Sequence, residues 1–207
     1  LFRSVIERNI GPKELEAMGA LDVECDLTDA DGKLFFETGD ISQSQSRMYD
    51  SHDVQAGASN DANEIFRVRQ RNSRFSLHNH PARPEFNGEQ AVSFADYKYA
   101  KALKKDMNFL VVRDGVIGFN PGEHTTFFPG ISALREGKDS LLRSNLHVLK
   151  LVFQNPERSA REQKEAGIMD FFVPFRGDED SERKLQAICD YINNPAAQWS
   201  EVKPMFE

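Results

Sequence analysis

Residues 74–83 read RFSLHNHPAR, and the reading of this stretch decides how the rest of the chain is understood. Phe75 and Leu77 alternate with Ser76 and His78, which is the period of a β-strand, and Pro81 closes the run because it has no N–H for a ladder. Alternate residues of a strand share one face, so His78 and His80 project the same way and can offer two imidazoles to one ion. Two ligands do not make a hydrolytic site, which needs a third protein ligand and an open position for water. The next acid placed to serve is Asp96, in SFADYKYAKALKKDM (93–107). That run predicts a helix with Ser93 as N-cap and Asp96 in its first turn, where a negative charge suits the helix dipole. The Ser93 hydroxyl can also face the same water or a developing oxyanion.

Working outward, LDVECDLTDADGKLFFETGD (21–40) predicts a hairpin with Leu21, Val23, Cys25 and Leu27 on one face and a turn at Asp31-Gly32. A second hairpin is predicted in NFLVVRDGVIGFNPG (108–122), around Asp114-Gly115. Ahead of both, apolar positions at Leu1, Val5 and Ile6 form a first helical segment, followed by a Gly11-Pro12 break and a second helical run from Lys13. Residues 41–63, rich in Ser, Gln, Asn and Asp, are read as a long loop, and 82–92 as a shorter one; both flank the histidines. The order is therefore helix, hairpin, strand, loop, helix, hairpin. From about 131 onward, 141–153, 157–175 and 181–194 read as helices. We take 1–130 as an α/β core and 131–207 as a helical C-terminal extension packed on it.

At 207 residues, 39% hydrophobic and 29% charged, with 16 Phe, the chain suits one domain of ordinary size or one with an appended part. A net charge of −7 argues against binding nucleic acid by overall phosphate attraction. Cys25 and Cys189 lie far apart with no CxxC, so both read as buried thiols of a reducing compartment. No apolar run approaches a membrane span, and no signal-peptide pattern is present. The opening on Leu1 is that expected of a fragment, with a cytoplasmic location or, for an effector, delivery into a target cell.

Several of these residues have a plain structural reading. An isolated H-x-H is more often surface or capping histidine than ligand, Ser93 as an N-cap is worth about 1 kcal/mol, and Asp96 suits a helix start. His52 and His124 read as polar loop residues and His147 as half-buried in a helix. The arginines of RVRQRNSR (67–74) can bind phosphate or an acidic partner, but such runs are commonly the solvated face of an edge strand.

His78-Asn79-His80-Pro81 followed by Ser93-Phe94-Ala95-Asp96 resembles the JAMM motif of the JAB/MPN metalloprotease family, in its bacterial and phage branch. The resemblance spans roughly residues 15 to 120. It implies a mixed sheet flanked by helices, of the cytidine-deaminase-like type, and a zinc hydrolase of amide or isopeptide bonds. By that resemblance His78, His80 and Asp96 hold Zn²⁺, a glutamate moves the proton from the attacking water to the leaving amine, and Ser93 steadies the oxyanion. The interval from His80 to Asp96 is longer than the family's, with EFNGE (85–89) as the insertion, which leaves Glu85 and Glu89 as alternative acids. For the general base Glu24 is favoured, because its distance to the histidines resembles the family's. Glu37 comes next, and Glu16, in EAMG, is a third candidate.

The implied substrate is a protein conjugate, ubiquitin or a ubiquitin-like modifier, cleaved by a deubiquitinase-like bacterial effector or toxin domain. Two other readings share the fold: a catalytically silent MPN-like binding module, and a DNA-repair-associated protein, against which the acidic charge weighs. PHP phosphoesterases and amidohydrolases want more histidines or a larger barrel than this chain supplies. A nucleoside deaminase wants H-x-E with P-C-x-x-C, which is missing.

Overall fold

A computed structural model of the chain describes residues 3–38, 72–82, 105–120 and 169–207, together with Val92, Asp96, Ala100 and Leu103. Strands β1 (Arg3–Ile6), β2 (Cys25–Ala30), β3 (Lys33–Thr38), β4 (Phe75–Asn79), β5 (Met107–Val112), β6 (Gly115–Phe119) and β7 (Phe171–Pro174) form one sheet in the order β1-β3-β2-β4-β5-β6-β7. Neighbours are antiparallel except β4 and β5, which are parallel. A parallel pair needs a crossover, and between these strands the chain passes through Asp96, Ala100 and Leu103, all in helical conformation. Their spacing of about one turn puts them on one helix face, and Ala100 is buried in an apolar cluster with Leu110 and Ile117. The histidine strand is thus interior to the sheet, and the crossover brings Asp96 over the face on which His78 lies.

Alternation separates the two faces. On one, Leu27, Leu77, Phe109, Val111, Val116 and Phe171 join the main core. It is covered by helices α1 (Pro12–Gly19), α2 (Glu179–Asn193) and α3 (Trp199–Val202), followed by a 3₁₀ turn at Lys203–Met205. On the other face, Leu110, Val112, Ile117 and Phe119 pack with Val92, Ala100 and Met169. Helix α1 starts at Pro12, where no backbone N–H is needed, and the Gly11 N–H donates to Glu14 Oε2 at 2.9 Å. Helix α2 starts on Asp178, whose carboxylate accepts from Ser181 N–H at 3.0 Å, and it carries acids at its first turn.

Both predicted hairpins form. Asp31 and Gly32 adopt φ of 52° and 75° between the paired residues Ala30 and Lys33, as a two-residue primed turn requires. In the second the turn falls one residue earlier than Asp114-Gly115: Val112 pairs with Gly115 across Arg113-Asp114. The α/β class and the mixed sheet flanked by helices agree with expectation.

Four expectations are corrected. Arg3–Ile6 is a strand paired to β3 instead of a helix: so short an apolar segment cannot nucleate a helix, while the sheet edge satisfies its backbone. Strand β2 begins at Cys25, so Leu21 and Val23 precede it, and Val23 is 44% exposed. The stretch FFVP, read as helical, is β7: aromatic and β-branched side chains on both sides fit a pleated strand at the sheet's edge. Beyond it, Tyr191, Trp199 and Phe206 interlock with Phe109 and Phe171, with ring centroids 4.2 to 6.1 Å apart for Phe171–Phe206 and Phe109–Tyr191. The C-terminal residues therefore build the main core from within.

The fourth correction concerns Arg74, read as part of a solvated edge. It stands at the start of an interior strand, where its Nε donates to Asp29 Oδ2 at 2.9 Å and its Nη atoms donate to Ala197 O and Tyr191 O. Arg8 adds bonds to Gly32 O and Ile192 O. Two guanidinium groups thus occupy the carbonyls at the C-terminal end of α2, where positive charge is favoured. Arg67, Arg69 and Arg71 lie outside the described residues, as do the 41–63 loop, His52, His124 and His147.

Candidate metal centre

His78 belongs to β4 and His80 follows it, one residue beyond the strand's end. The backbone of His80 stays in register with β5 through its N–H to Val111 O at 3.1 Å, and the following proline favours the extended conformation it adopts. Both side chains are buried, and their ring centroids lie 5.4 Å apart. Asp96 descends from the crossover helix onto them: His78 Nε2 lies 3.1 Å from its Oδ1, and His80 Nε2 lies 3.2 Å from its Oδ2. One ligand atom from each of the three residues falls within 4.8 Å of the others.

Electrostatics favour positive charge at this point. Burial pushes the His78 imidazolium down, but the Asp96 carboxylate, its hydrogen bond and the charges of Asp26 and Glu24 outweigh burial and raise the pKa to about 9. Burial likewise pushes Asp96 up, and the two histidines overcome it and hold the carboxyl well below its ordinary range. A site that holds a proton so firmly when filled with imidazole and carboxylate also suits a divalent cation. Two imidazole nitrogens and a carboxylate are a donor set suited to zinc, which binds such atoms at about 2.0–2.2 Å. The residues present therefore fit a metal ion.

The candidate bases sit at different distances from this centre. Asp26 of β2 is the register partner of His78. Glu24 immediately precedes β2, two residues before Asp26, and its charge reaches His78. Glu37 pairs with Asp26 from β3, one strand further from His78. Glu16 lies on α1, whose Leu15 and Met18 enter the core of the opposite face, and its carboxylate is 4.0 Å from Arg176 Nε. Ser93, Glu85 and Glu89 lie outside the described residues.

Two participants are absent from the reading of the sequence. Asp26 is 3% exposed on the histidine face, and the spacing Glu24-x-Asp26 was the signal for it. Asn79, between the two histidines, is fully buried on the other face; a carboxamide there gives no sign in sequence of what it binds.

Among the described residues no helix is long and apolar enough to cross a membrane. No protein-family model, curated protein or solved structure matches the chain.

Proposed function

We propose that this chain is a zinc-dependent hydrolase of the JAMM type that cleaves an amide or isopeptide bond. The observation that carries the reading is the convergence of His78, His80 and Asp96 in a buried cluster, with the charge of Glu24 felt at His78. A zinc ion held there supplies Lewis acidity and brings the pKa of water toward about 7. Glu24 accepts a proton from the attacking water and delivers it to the departing nitrogen. The water oxygen and its second proton end in the new carboxyl group, and the C–N bond breaks with a neutral amine leaving. Asp26 adds negative charge that favours the cation and keeps His78 engaged. Ser93, by the family pattern, donates to the oxyanion.

The substrate class proposed is a protein carrying ubiquitin or a ubiquitin-like modifier, and an effector acting in a target cell is the setting in which such a domain would work. The test is zinc per chain by elemental analysis on protein purified without added metal, beside His80→Ala, followed by cleavage of lysine-linked ubiquitin dimers. About one zinc per chain, lost in the variant, with dimer cleavage abolished by Glu24→Gln, is the expected result. A chain that takes up no zinc on titration would favour the metal-free binding module instead.

A further inference from the structure

Asn79 lies between the two histidines but points away from them. Its Oδ1 accepts the Cys25 N–H at 2.7 Å, and its Nδ2 donates to Val23 O at 3.0 Å. The two backbone groups it binds flank Glu24 on either side. Because one is a donor and the other an acceptor, a carboxamide in this orientation satisfies both at once. Direct pairing of β2 with β4 ends at Asp26 and His78, so the Asn79 side chain replaces the peptide group that would have continued the ladder. The next tie is further out, where Ala82 N–H donates to Leu21 O at 2.9 Å. Glu24 thus sits just beyond the regular strand, where the Asn79 side chain ties the backbone on both sides of it to β4.

We infer that Asn79 is the positioning residue of the proposed base: its carboxamide fixes the 23–25 backbone and so holds Glu24 where its charge reaches His78 and the metal site. This rests on the reading of Glu24 given above. The device joins base and ligands in one rigid unit, since the residue between the ligands carries the clamp. The ligands themselves do not depend on it: His78 is held within β4, which pairs with β5 through Leu110, and His80 is held by Val111. Removing Asn79 therefore loosens the tie of the 23–25 backbone to β4 while leaving the metal donors in place.

The test uses the cobalt(II)-loaded chain, whose visible absorption bands report groups at the ion's open position, together with amide exchange at Cys25. Asn79→Ala and the gentler Asn79→Ser are compared with Glu24→Gln and with the double variants. The expected result is about one cobalt per chain in all of them and faster Cys25 exchange, by about tenfold or more, in the Asn79 variants. The visible bands should shift alike in Glu24→Gln and the Asn79 variants, with no further shift in the double variants. Unchanged Cys25 exchange, or bands that move with Glu24→Gln but not with Asn79→Ser, would overturn the inference alone. Loss of cobalt in both Asn79 variants would overturn it too, by showing that Asn79 supports the ligands. A spectrum indifferent to Glu24→Gln, or a wild-type chain that binds no cobalt, would instead overturn the reading of the base or of the metal site, and the inference with it.

Discussion

Two buried carboxylates, Asp29 of β2 and Asp96 of the crossover, are each held below the ordinary carboxyl range by neighbours that overcome burial: the Ser73 hydrogen bond and Arg74 for Asp29, the two histidines for Asp96. Asp29 meets groups whose charge and hydrogen bonds are permanent. Its Oδ1 accepts from Ser73 Oγ at 2.7 Å and Arg74 N at 3.0 Å, and its Oδ2 from Arg74 Nε at 2.9 Å and Arg8 Nη2 at 3.5 Å. A guanidinium never loses its proton under ordinary conditions, so this cluster is complete in itself. Asp96 meets the imidazoles of His78 and His80, whose positive charge is conditional. The lesson is that burial and an ion pair do not mark a functional site; a partner whose charge can be exchanged for that of a metal does.

The sharpest way to break the comparison is to remove one member from each cluster. His80→Ala or Asp96→Ala is expected to abolish zinc binding and turnover together, whereas Glu24→Gln should keep zinc and lower kcat by about 10²–10⁴. Elemental analysis and initial rates on the same samples check both, and full zinc occupancy in Asp96→Ala would remove Asp96 from the ligand set. Asp29→Ala has the opposite profile: a loss of about 3 kcal/mol in urea unfolding, because Arg74 is left partly buried without its carboxylate, with unchanged zinc per folded molecule.

Acid sharpens the contrast further. With its pKa depressed in the fold, Asp29 contributes stability that is present above about pH 4 and is lost as pH falls through its lower folded value. Unfolding midpoints measured from pH 6 downward should therefore decline in the wild-type chain, and decline less in Asp29→Asn.

A smaller effect is expected at the alkaline end. Burial outweighs the carboxylates of Asp29 and Asp106 and lowers the Lys105 pKa to about 8, although its ammonium donates to Ser73 O at 2.6 Å. Between there and about 10.4 the unfolded chain binds more protons, so this group makes stability rise with pH; Lys105→Met should remove that rise. The smallest effect belongs to Glu16→Gln, expected within about 0.5 kcal/mol of wild type, since its long contact with Arg176 is solvated. Unchanged turnover in this variant would complete the contrast with Glu24→Gln.

Local physics makes part of this molecule legible from its residues alone. Period-two alternation puts His78 and His80 on one face, Asp31-Gly32 specifies a tight turn by backbone sterics, and Pro81 ends the strand it follows. Each is a property of a few neighbouring residues, so no partner has to be known. What required the tertiary structure is everything decided by pairing across long separations. The strand Arg3–Ile6 exists because β3 lies beside it, and FFVP becomes β7 because β6 offers an edge. Arg74 is a structural anchor because Asp29 and the end of α2 meet it. Asp26 comes to His78 only through the register of β2 on β4. A side chain's type and spacing determine what it can bind; which group it meets is determined by the strand order, because that order alone brings distant segments within reach of one another.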